Sequence, residues 1–477
     1  MSLAISQFFL YLAAIFIINS LVQPILRRFR IADFLSHVIT GVLIAAAIWL
    51  SGATAEFSSP DESRQSFKVT TETVSYLQKQ LGDSIANARV SQWENRRFAS
   101  RQAFRDSLQT IIGSEKKDLL SFTLPAAAPP PAQPFDVLLE FLIFAGLIIY
   151  LMQIGVNFNP RFLQLHQDRI FLLHVSIVVI ISVVVLFSGG YFLIFDLHIV
   201  PSFLWTIAFL SINIGSLISV VFPLKLPLKS PFSRLIQVSV LLDILAIAGY
   251  GWIVLAKNYQ HDFEAQLKAD AGYWIVLMIF TAVMPMHRQI RGMIKYLQNW
   301  LGDFSILLRL GFILLFIYAG SRIHFPVLIL GMGAGFLFRV LMQSEDLEFR
   351  RRFFSGASFL YIIPFVEIGR LFFRPGIFLT ETWLSAAWML AIFIVLSLLA
   401  ALVWFTQEGY PKIIAVGSFP RGEIAVLIWW LFYKADFITT NVFLSGVLAV
   451  ILSTFAGVII ARIVFAKSAE SGRKLKI

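Results

Sequence analysis

The sequence repeats one feature along almost its whole length: apolar stretches long enough to cross the hydrocarbon core of a lipid bilayer. That core is about 30 Å thick, so a spanning helix needs roughly 20 apolar residues. Because a bilayer interior offers no water to backbone N–H and C=O groups, such stretches are expected to be helices. The predicted spans, about thirteen in all, are residues 3–26, 34–52, 135–155, 169–195, 200–222, 232–256, 272–288, 303–321, 325–343, 353–373, 377–405, 412–433 and 437–466.

Charged residues are scarce in this chain of 477 residues. They make up 14% of the sequence, against about 25% in soluble domains, which indicates a polytopic membrane protein with the lipid bilayer as its partner. The formal net charge of +11 does not indicate nucleic acid, because Lys and Arg lie between the apolar segments, where anionic lipid attracts them. With no cysteine and no metal-ligand spacing among the histidines, we predict neither an enzyme nor a resident metal or cofactor.

The basic residues also predict the orientation of the chain. They collect after the first, third, fifth, seventh and ninth spans and in the C-terminal tail, for example in "LRRFR" at 26–30 and "FRRRF" at 349–353. Cytoplasmic loops carry the excess of Lys and Arg. We therefore predict an N-terminus outside, a cytoplasmic C-terminus, and a location in a cell membrane of the bacterial inner-membrane type.

Residues 53–134 break the apolar pattern on the predicted outer side. Their middle part has apolar residues at irregular helical spacing among charges, and the segment ends in "PAAAPPPAQP". This predicts one or two amphipathic helices and a stiff linker. The segment is either an insertion without chemistry of its own or a surface for an external partner. The other divisions are spans one and two in 1–52, spans three to thirteen in 135–466, and a basic tail in 467–477.

Two pairs of similar segments predict an internal repeat. "YLMQIGVNF" at 150–158 resembles "PFVEIGRLF" at 364–372, with Gln153 and Glu367 in register. A second pair, in spans two and nine, has a larger offset, and the difference is close to the length of the external segment. Spans one to six and eight to thirteen are therefore predicted to be two copies. Because the single span seven connects the two copies, the second copy enters the membrane in the opposite orientation to the first, as in many secondary transporters.

Two spans at corresponding positions of the repeat contain helix-breaking or polar residues. Span five carries "SINIGSLIS" at 211–219, and span twelve carries "VGSFPRGEI" at 416–424. Broken helices expose backbone groups that can coordinate a cation or hold a charged side chain. The alternative is that Gly and Pro occur there because they are common in membrane helices. The candidate residues on these segments are Asn213, Ser216, Pro420, Arg421 and Glu423.

Asp243 lies near the middle of span six, in the apolar run "SVLLDILAI" at 239–247. An ionised carboxylate inside a bilayer is costly unless it is hydrated, paired or protonated. Asp243 is therefore the leading candidate for a group that binds a cation and a proton in turn. The alternative is a carboxyl that stays protonated as a buried hydrogen-bond donor.

Five segments form an ordered series along the spans: "LRRFRIADFLSHVITGVLIA", "LIIYLMQIGVNFNPRFLQL", "LISVVFPLKLPLKSPFSRLIQVSVLLDILAI", "LGMGAGFLF" and "FPRGEIAVLI". The series resembles the signature segments of the sodium/proton exchanger domain of the monovalent cation:proton antiporter superfamily. The resemblance covers essentially all spans and leaves out the external segment. It implies a thirteen-helix inverted repeat, a homodimer, and a core bundle that moves past a dimerisation bundle by an elevator-like motion. It further implies that Asp243 is the ion-carrying aspartate, with Asn213 and Ser216 on the first crossing helix and Pro420 to Glu423 on the second.

Two positions differ from the usual pattern of that family. The residue before Asp243 is Leu242, where a polar or acidic residue is common, and span eleven has Ser397 where a Lys or Arg is common. The usual pairing of the aspartate with a basic residue of span eleven is therefore absent from this sequence.

Other charged residues can supply the missing partner. Arg421 can serve as the counter-charge to Asp243, with Glu423 holding it in place. Glu367 and Arg370 stand at i, i+3 near the end of span ten and can pair with each other. The alternative is that the charges of span twelve stabilise helix ends and that Arg370 extends to the outer interface.

These observations lead to three functional hypotheses. The first is a transporter that exchanges Na⁺ or K⁺ for H⁺ by alternating access of Asp243, with electroneutral one-for-one exchange as the simplest stoichiometry. The second is a protein derived from this fold that no longer transports and whose segment 53–134 binds a partner or senses a ligand. The third is a transporter of an organic anion, which requires Arg370 or Arg421 to face the substrate pathway.

Overall fold

The computed structural model of the chain describes residues 2–28, 33–50, 67–68, 97–98, 134–157, 169–195, 197–212, 230–258, 296, 304–322, 326–341, 347–372, 375–403, 415–435 and 437–474. The chain divides into two compact units. One unit consists of Met1–Ile5 with Ala46–Val137, and the other of Ser6–Ala45 with Leu138–Ile477. Asp243, Arg421 and Glu423 belong to the second unit.

The described part of the external segment is a short antiparallel pairing. Strand β1 (Phe67–Lys68) pairs with strand β2 (Arg97–Phe98), and Phe67 lies opposite Phe98. The amphipathic helices predicted for 53–134 fall on residues outside the described ones. Within the described ranges, this ladder is the departure from the predicted all-helical fold.

Helices make up nearly all of the rest of the described chain, so the prediction of a helical fold is confirmed. Each described helix coincides with one of the predicted spans, and the predicted seventh span at 272–288 lies outside the described residues. The helices are α1 (Ser2–Arg28), α2 (Asp33–Leu50), α3 (Pro134–Asn157), α4 (Arg169–Gly189), α5 (Ile199–Phe209), α6 (Ser230–Asn258), α7 (Phe304–Arg322), α8 (Val327–Leu341), α9 (Leu347–Phe372), α10 (Thr380–Val403), α11 (Glu423–Lys434) and α12 (Thr440–Lys474).

Six helical segments in the described ranges are long and apolar enough to cross a membrane, judged by length and composition. Shorter apolar stretches occur in α2, α5, α6, α7 and α8. Many large apolar side chains on these helices remain exposed, as expected for surfaces that face lipid rather than water. The six segments are Leu10–Arg28, Leu138–Val156, Leu173–Ile194, Arg352–Phe372, Thr380–Val403 and Thr440–Ile463.

Helices α1, α2, α3, α7, α8 and α9 pack together as what we call the first bundle. Glycines bring their backbones into close contact: a Cβ atom on Gly41 of α2 would lie 2.0 Å from the carbonyl oxygen of Val366 on α9. A Cβ atom on Gly369 of α9 would lie 1.9 Å from the carbonyl oxygen of Val38. No side chain fits at these points, so the two helices touch backbone to backbone, as small residues allow in membranes.

Replacing Gly369 with Ala is therefore expected to lower the melting temperature of the purified protein. The added methyl group must push α2 and α9 apart, and overpacking of this kind costs about 1–3 kcal/mol. Gly356 is a matched control on the same helix, because a Cβ atom there meets nothing within 4 Å. Gly356→Ala should leave the melting temperature unchanged or slightly higher, since Ala favours helix. Equal melting temperatures for the two variants would contradict the close packing of α2 on α9.

Helices α4, α5, α6, α10, α11 and α12 form the second bundle, in which α10 packs against α4 and α12, and α11 against α5 and α12. Its centre is a group of fully buried aromatic rings. Trp205 of α5 stacks on Phe393 of α10 with ring centroids 5.7 Å apart, and Trp429 of α11 lies edge-on to Phe209 at 5.2 Å. These rings hold α5, α10 and α11 together, which are the elements that surround the candidate site. The two bundles meet where α6 contacts α8.

Candidate functional site

Two helices of the second bundle end in non-helical backbone where the sequence places breaking or polar residues. Helix α5 ends at Phe209, and residues 210–212 are not helical. Residues 415–418 are helical, 419–422 are not, and α11 begins at Glu423 after the extended residue Gly422. The candidates Asn213 and Ser216 lie outside the described residues. Pro420 lies in the interruption that precedes α11, and α5 packs against α11.

Asp243 lies on α6 and holds the end of α5. The hydroxyl group of Ser211 donates a hydrogen bond of 2.6 Å to Oδ1 of Asp243. Ser239, one turn earlier on α6, donates to the carbonyl oxygen of Ile212 at 3.1 Å. Asp243 is half-buried, whereas Leu242 beside it is completely buried. The carboxyl group is therefore positioned by a hydrogen bond to the end of α5.

Arg421 lies in the second interruption and is completely buried. Its Nη1 donates to the carbonyl oxygen of Ser211 at 3.3 Å, and its guanidinium lies over the ring of Phe393 at 4.9 Å. Its backbone is held by α12, because its N–H donates to Ser453 Oγ and its carbonyl oxygen accepts from Thr454. Nε and Nη2 have no hydrogen-bond partner among the described residues.

Arg421 and Asp243, which the sequence suggested as charge partners, form no direct ion pair within the described residues. Ser211 connects them instead, because its hydroxyl donates to the carboxylate while its carbonyl oxygen accepts from the guanidinium. The physical reason is backbone geometry: the unwound end of α5 places a free carbonyl between the two charges, and this carbonyl satisfies one guanidinium nitrogen. Ser211 is therefore a central residue of the site, marked in the sequence only as the start of a polar run.

Glu423 and Tyr150 bring two further oxygen-bearing groups to the site. Glu423 is the first residue of α11 and is half-buried. Its carboxyl group lies within electrostatic range of Asp243 and of Tyr150 on α3 of the first bundle. The side chain of Tyr150 is buried.

Ser397 of α10 stands where the antiporters that the sequence resembles carry a basic residue, and Arg421 places a positive charge against α10 instead. The side chain of Ser397 is buried, and its hydroxyl donates to the carbonyl oxygen of Phe393 at 2.7 Å on the same helix. The guanidinium of Arg421 lies over Phe393, one turn before Ser397. A positive charge is thus present against α10, but it is supplied by the interruption before α11.

Glu367 and Arg370 form an ion pair on α9, as their i, i+3 spacing predicts. Arg370 donates from Nε to Oε2 at 2.8 Å and from Nη2 to Oε1 at 2.5 Å, and Glu367 is buried. The hydroxyl of Tyr11 on α1 adds a bond of 3.4 Å to Oε2. Bidentate pairs of this kind are strong and directional. Neither Asp243 nor Arg421 contacts this pair, which therefore lies apart from the carboxylate site and joins α1 to α9.

The fold and the site define a predominantly helical chain with several helices suited to span a membrane and a cluster of charged groups beside two interrupted helices. No model of a known protein family matches the sequence. Comparison with curated proteins finds no match either.

Proposed function

We propose that the protein is a secondary transporter that exchanges Na⁺ or K⁺ for H⁺ by alternating access of Asp243, as its resemblance to the cation:proton antiporters implies. One observation carries the proposal. A half-buried carboxylate on an apolar helix is held by Ser211 at the end of one interrupted helix, and the second interrupted helix packs against the first. Unwound backbone inside a membrane is tolerated where it lines a cavity, and transporters use it to build ion sites.

The proposal includes thirteen spans in an inverted repeat, an outside N-terminus, a cell-membrane location and a homodimer. The composition of the bundles supports the repeat, because each bundle takes three helices from each proposed copy. Helices α1 to α3 accompany α7 to α9, and α4 to α6 accompany α10 to α12. An elevator-like motion would carry the second bundle, with Asp243, past the first.

The alternative is a protein of the same fold that does not transport, in which segment 53–134 binds a partner or ligand. It is favoured by the complete burial of Leu242 and by Ser397, whose hydroxyl is used within its own helix. A sealed, dry carboxyl is expected in that case.

An organic-anion transporter is less well supported. That function needs a guanidinium open to the pathway. Arg370 is paired with Glu367, and Arg421 is completely buried against Phe393 and the Ser211 carbonyl.

The decisive experiment is cation-driven proton flux in proteoliposomes containing the full chain, with gradients of Na⁺, K⁺ and Li⁺ compared. We expect exchange with at least one of these cations. No exchange with any of them would favour the non-transporting alternative.

The same assay predicts a dependence on pH. A proton and a cation compete for the same carboxylate, so the apparent affinity for the cation should fall as pH drops through the carboxyl pKa. The limit is about tenfold per pH unit for a single competing proton. The maximal rate at saturating cation should change less than the affinity. Competition at one carboxylate would be contradicted if the apparent affinity for the cation stayed constant from about pH 5 to about pH 9.

A further inference from the structure

Helix α12 supplies hydrogen-bond partners for the backbone of Arg421, which lies in the non-helical segment 419–422. The N–H of Arg421 donates to Oγ of Ser453 at 3.2 Å, and its carbonyl oxygen accepts from Oγ1 of Thr454 at 2.9 Å. Ser453 and Thr454, which we call the hydroxyl pair, are completely buried. Unpaired backbone groups are costly inside a membrane, so the hydroxyl pair stabilises the non-helical conformation of Arg421.

Both members of the hydroxyl pair also bond within α12. Oγ of Ser453 donates to the carbonyl oxygen of Val450 at 2.9 Å, which leaves its lone pairs to accept from the N–H of Arg421. Oγ1 of Thr454 lies 2.9 Å from the carbonyl oxygens of both Arg421 and Val450, so its single proton is shared between them. The bonds to Val450 hold both hydroxyl groups in the orientation that meets Arg421.

Two further contacts fix the same segment. Gly457 stands one turn after Ser453 on α12, and a Cβ atom there would lie 3.0 Å from Cβ of Pro420, closer than ordinary van der Waals contact. On α10, the ring centroid of Phe393 lies 4.9 Å from Cζ of Arg421. Arg421 is therefore held from two sides, because α12 bonds to its backbone and α10 packs against its guanidinium.

The guanidinium of Arg421 connects this contact with α12 to the carboxylate site. Its Nη1 donates to the carbonyl oxygen of Ser211, and the hydroxyl of Ser211 donates to Asp243. A continuous series of hydrogen bonds therefore runs from Thr454 on α12, through Arg421 and Ser211, to Asp243 on α6. A displacement of the Arg421 backbone moves the guanidinium, and the end of α5 then loses a bond that keeps Ser211 against the carboxylate.

We propose that the hydroxyl pair of α12 positions Asp243 for cation binding by acting through Arg421 and Ser211. The inference rests on the proposed function and deepens it, because it adds α12 to the elements that determine the affinity of the carboxylate for its cation. Ser453 and Thr454 are positioning residues, since their bonds go to the backbone of Arg421. A merely structural role predicts a change in stability without a change in cation affinity.

The test is the cation affinity of the detergent-solubilised full chain, measured by titration calorimetry with Na⁺, K⁺ and Li⁺. Thr454→Val keeps the shape of the side chain and removes the donor to the carbonyl oxygen of Arg421. We expect the dissociation constant to rise about fivefold, the effect of about one hydrogen bond. Ser453→Ala should have an effect of similar size. Thr454→Ser keeps the hydroxyl group and should bind within about twofold of the wild type.

Proton flux in proteoliposomes gives a second measurement on the same variants. Thr454→Val should raise the KM for the cation by the same factor as the dissociation constant, with the maximal rate within about twofold of the wild type. Ser445→Ala is the matched control on α12, because Ser445 is buried and its hydroxyl donates to the carbonyl oxygen of Asn441 within the helix at 2.9 Å. It should bind and transport cations like the wild type, whatever its melting temperature.

A double-mutant cycle tests the route of the effect. Ser211→Ala removes the hydroxyl group that donates to Asp243 and keeps the carbonyl oxygen that accepts from Arg421. Because the last step of the series is then missing, Thr454→Val should change the affinity of Ser211→Ala by less than about twofold. An equal loss from Thr454→Val in the wild-type and Ser211→Ala backgrounds overturns the inference, since the effect then does not pass through Ser211.

The inference and the proposed function fail in different ways. The inference is overturned if Thr454→Val is monodisperse and binds the cation within about twofold of the wild type, or if Ser445→Ala weakens binding equally. Exchange by the wild type stands in both cases. If the wild type binds cations in a Thr454-dependent way but carries no proton flux, the proposed exchange is overturned and the positioning role stands. If Thr454→Val is not monodisperse, Ser453→Ala decides between the same outcomes.

Discussion

Asp243→Asn is expected to abolish cation-driven proton flux, with a loss of at least about a hundredfold at any cation concentration. Asparagine has the same shape and still accepts the hydrogen bond from Ser211 through its amide oxygen, so the end of α5 stays in place. What the substitution removes is the negative charge and the titratable oxygen. An amide neither carries a proton between the two sides of the membrane nor compensates a bound cation. The measurement is proteoliposome flux at saturating Na⁺, K⁺ or Li⁺.

The control for this prediction removes one carboxylate from an exposed position. Glu381 stands in the first turn of α10 and is exposed. Glu381→Gln makes the same chemical change as Asp243→Asn and should leave flux within about twofold of the wild type. Asp243→Glu keeps the carboxylate but displaces it by one methylene, so a measurable, reduced rate is expected. Unchanged flux in Asp243→Asn would rule out Asp243 as the carrier of the ion.

Arg421→Met is the second change with a large expected effect, because it should both stop transport and destabilise the protein by about 3–5 kcal/mol. Methionine can fill the space beside Phe393 without carrying charge. The change leaves Asp243 and Glu423 facing each other without a cationic neighbour, and it removes the bond from Nη1 to the carbonyl oxygen of Ser211. The measurements are the melting temperature in detergent and the flux in proteoliposomes.

A double variant separates charge from packing in this prediction. Adding Glu423→Gln to Arg421→Met removes one negative charge, so the net charge of the site returns to that of the wild type. At least half of the lost stability should return, although flux should not, because the connection from Arg421 to Ser211 is still missing. Arg421→Lys should be intermediate, since a single ammonium cannot both lie flat over Phe393 and reach the same carbonyl. A double variant as unstable as Arg421→Met would show that the charge of Arg421 does not stabilise the protein, and that its packing and its hydrogen bond to Ser211 do.

Much of the fold could be predicted from the sequence. Apolar stretches of sufficient length predict helices because a bilayer leaves the backbone no other way to satisfy its hydrogen bonds, and the described helices coincide with predicted spans. The pairing of Glu367 with Arg370 was also predictable, because a spacing of three residues on a helix brings the two side chains together. The interruption before α11 followed from Pro420 and the glycines beside it.

The carboxylate site was predicted less completely. Asp243 and Glu423 are visible as charges in apolar segments, but Tyr150 is one aromatic residue among many, and Ser211 is one hydroxyl in a polar run. The sequence suggested Arg421 as the counter-charge to Asp243, with stabilisation of helix ends as the alternative. In the structure Ser211 lies between the two groups, because its carbonyl oxygen accepts from Arg421 and its hydroxyl donates to Asp243. The pattern of side chains in a sequence does not predict a free backbone carbonyl such as that of Ser211. It arises from the way α5 ends.

The sequence by itself indicated a helical chain with segments long and apolar enough to span a membrane, and it showed the charged residues within those segments. These properties depend on composition and on the spacing of residues that are close together in the sequence. Only the tertiary structure decided which distant groups meet: the Arg421 guanidinium with the carbonyl of Ser211 and with the ring of Phe393, and the hydroxyl of Ser211 with Asp243. The reason is that helix packing within a membrane depends on shape and small residues. The partner of a buried polar group is therefore set by where the bundles bring their backbones together.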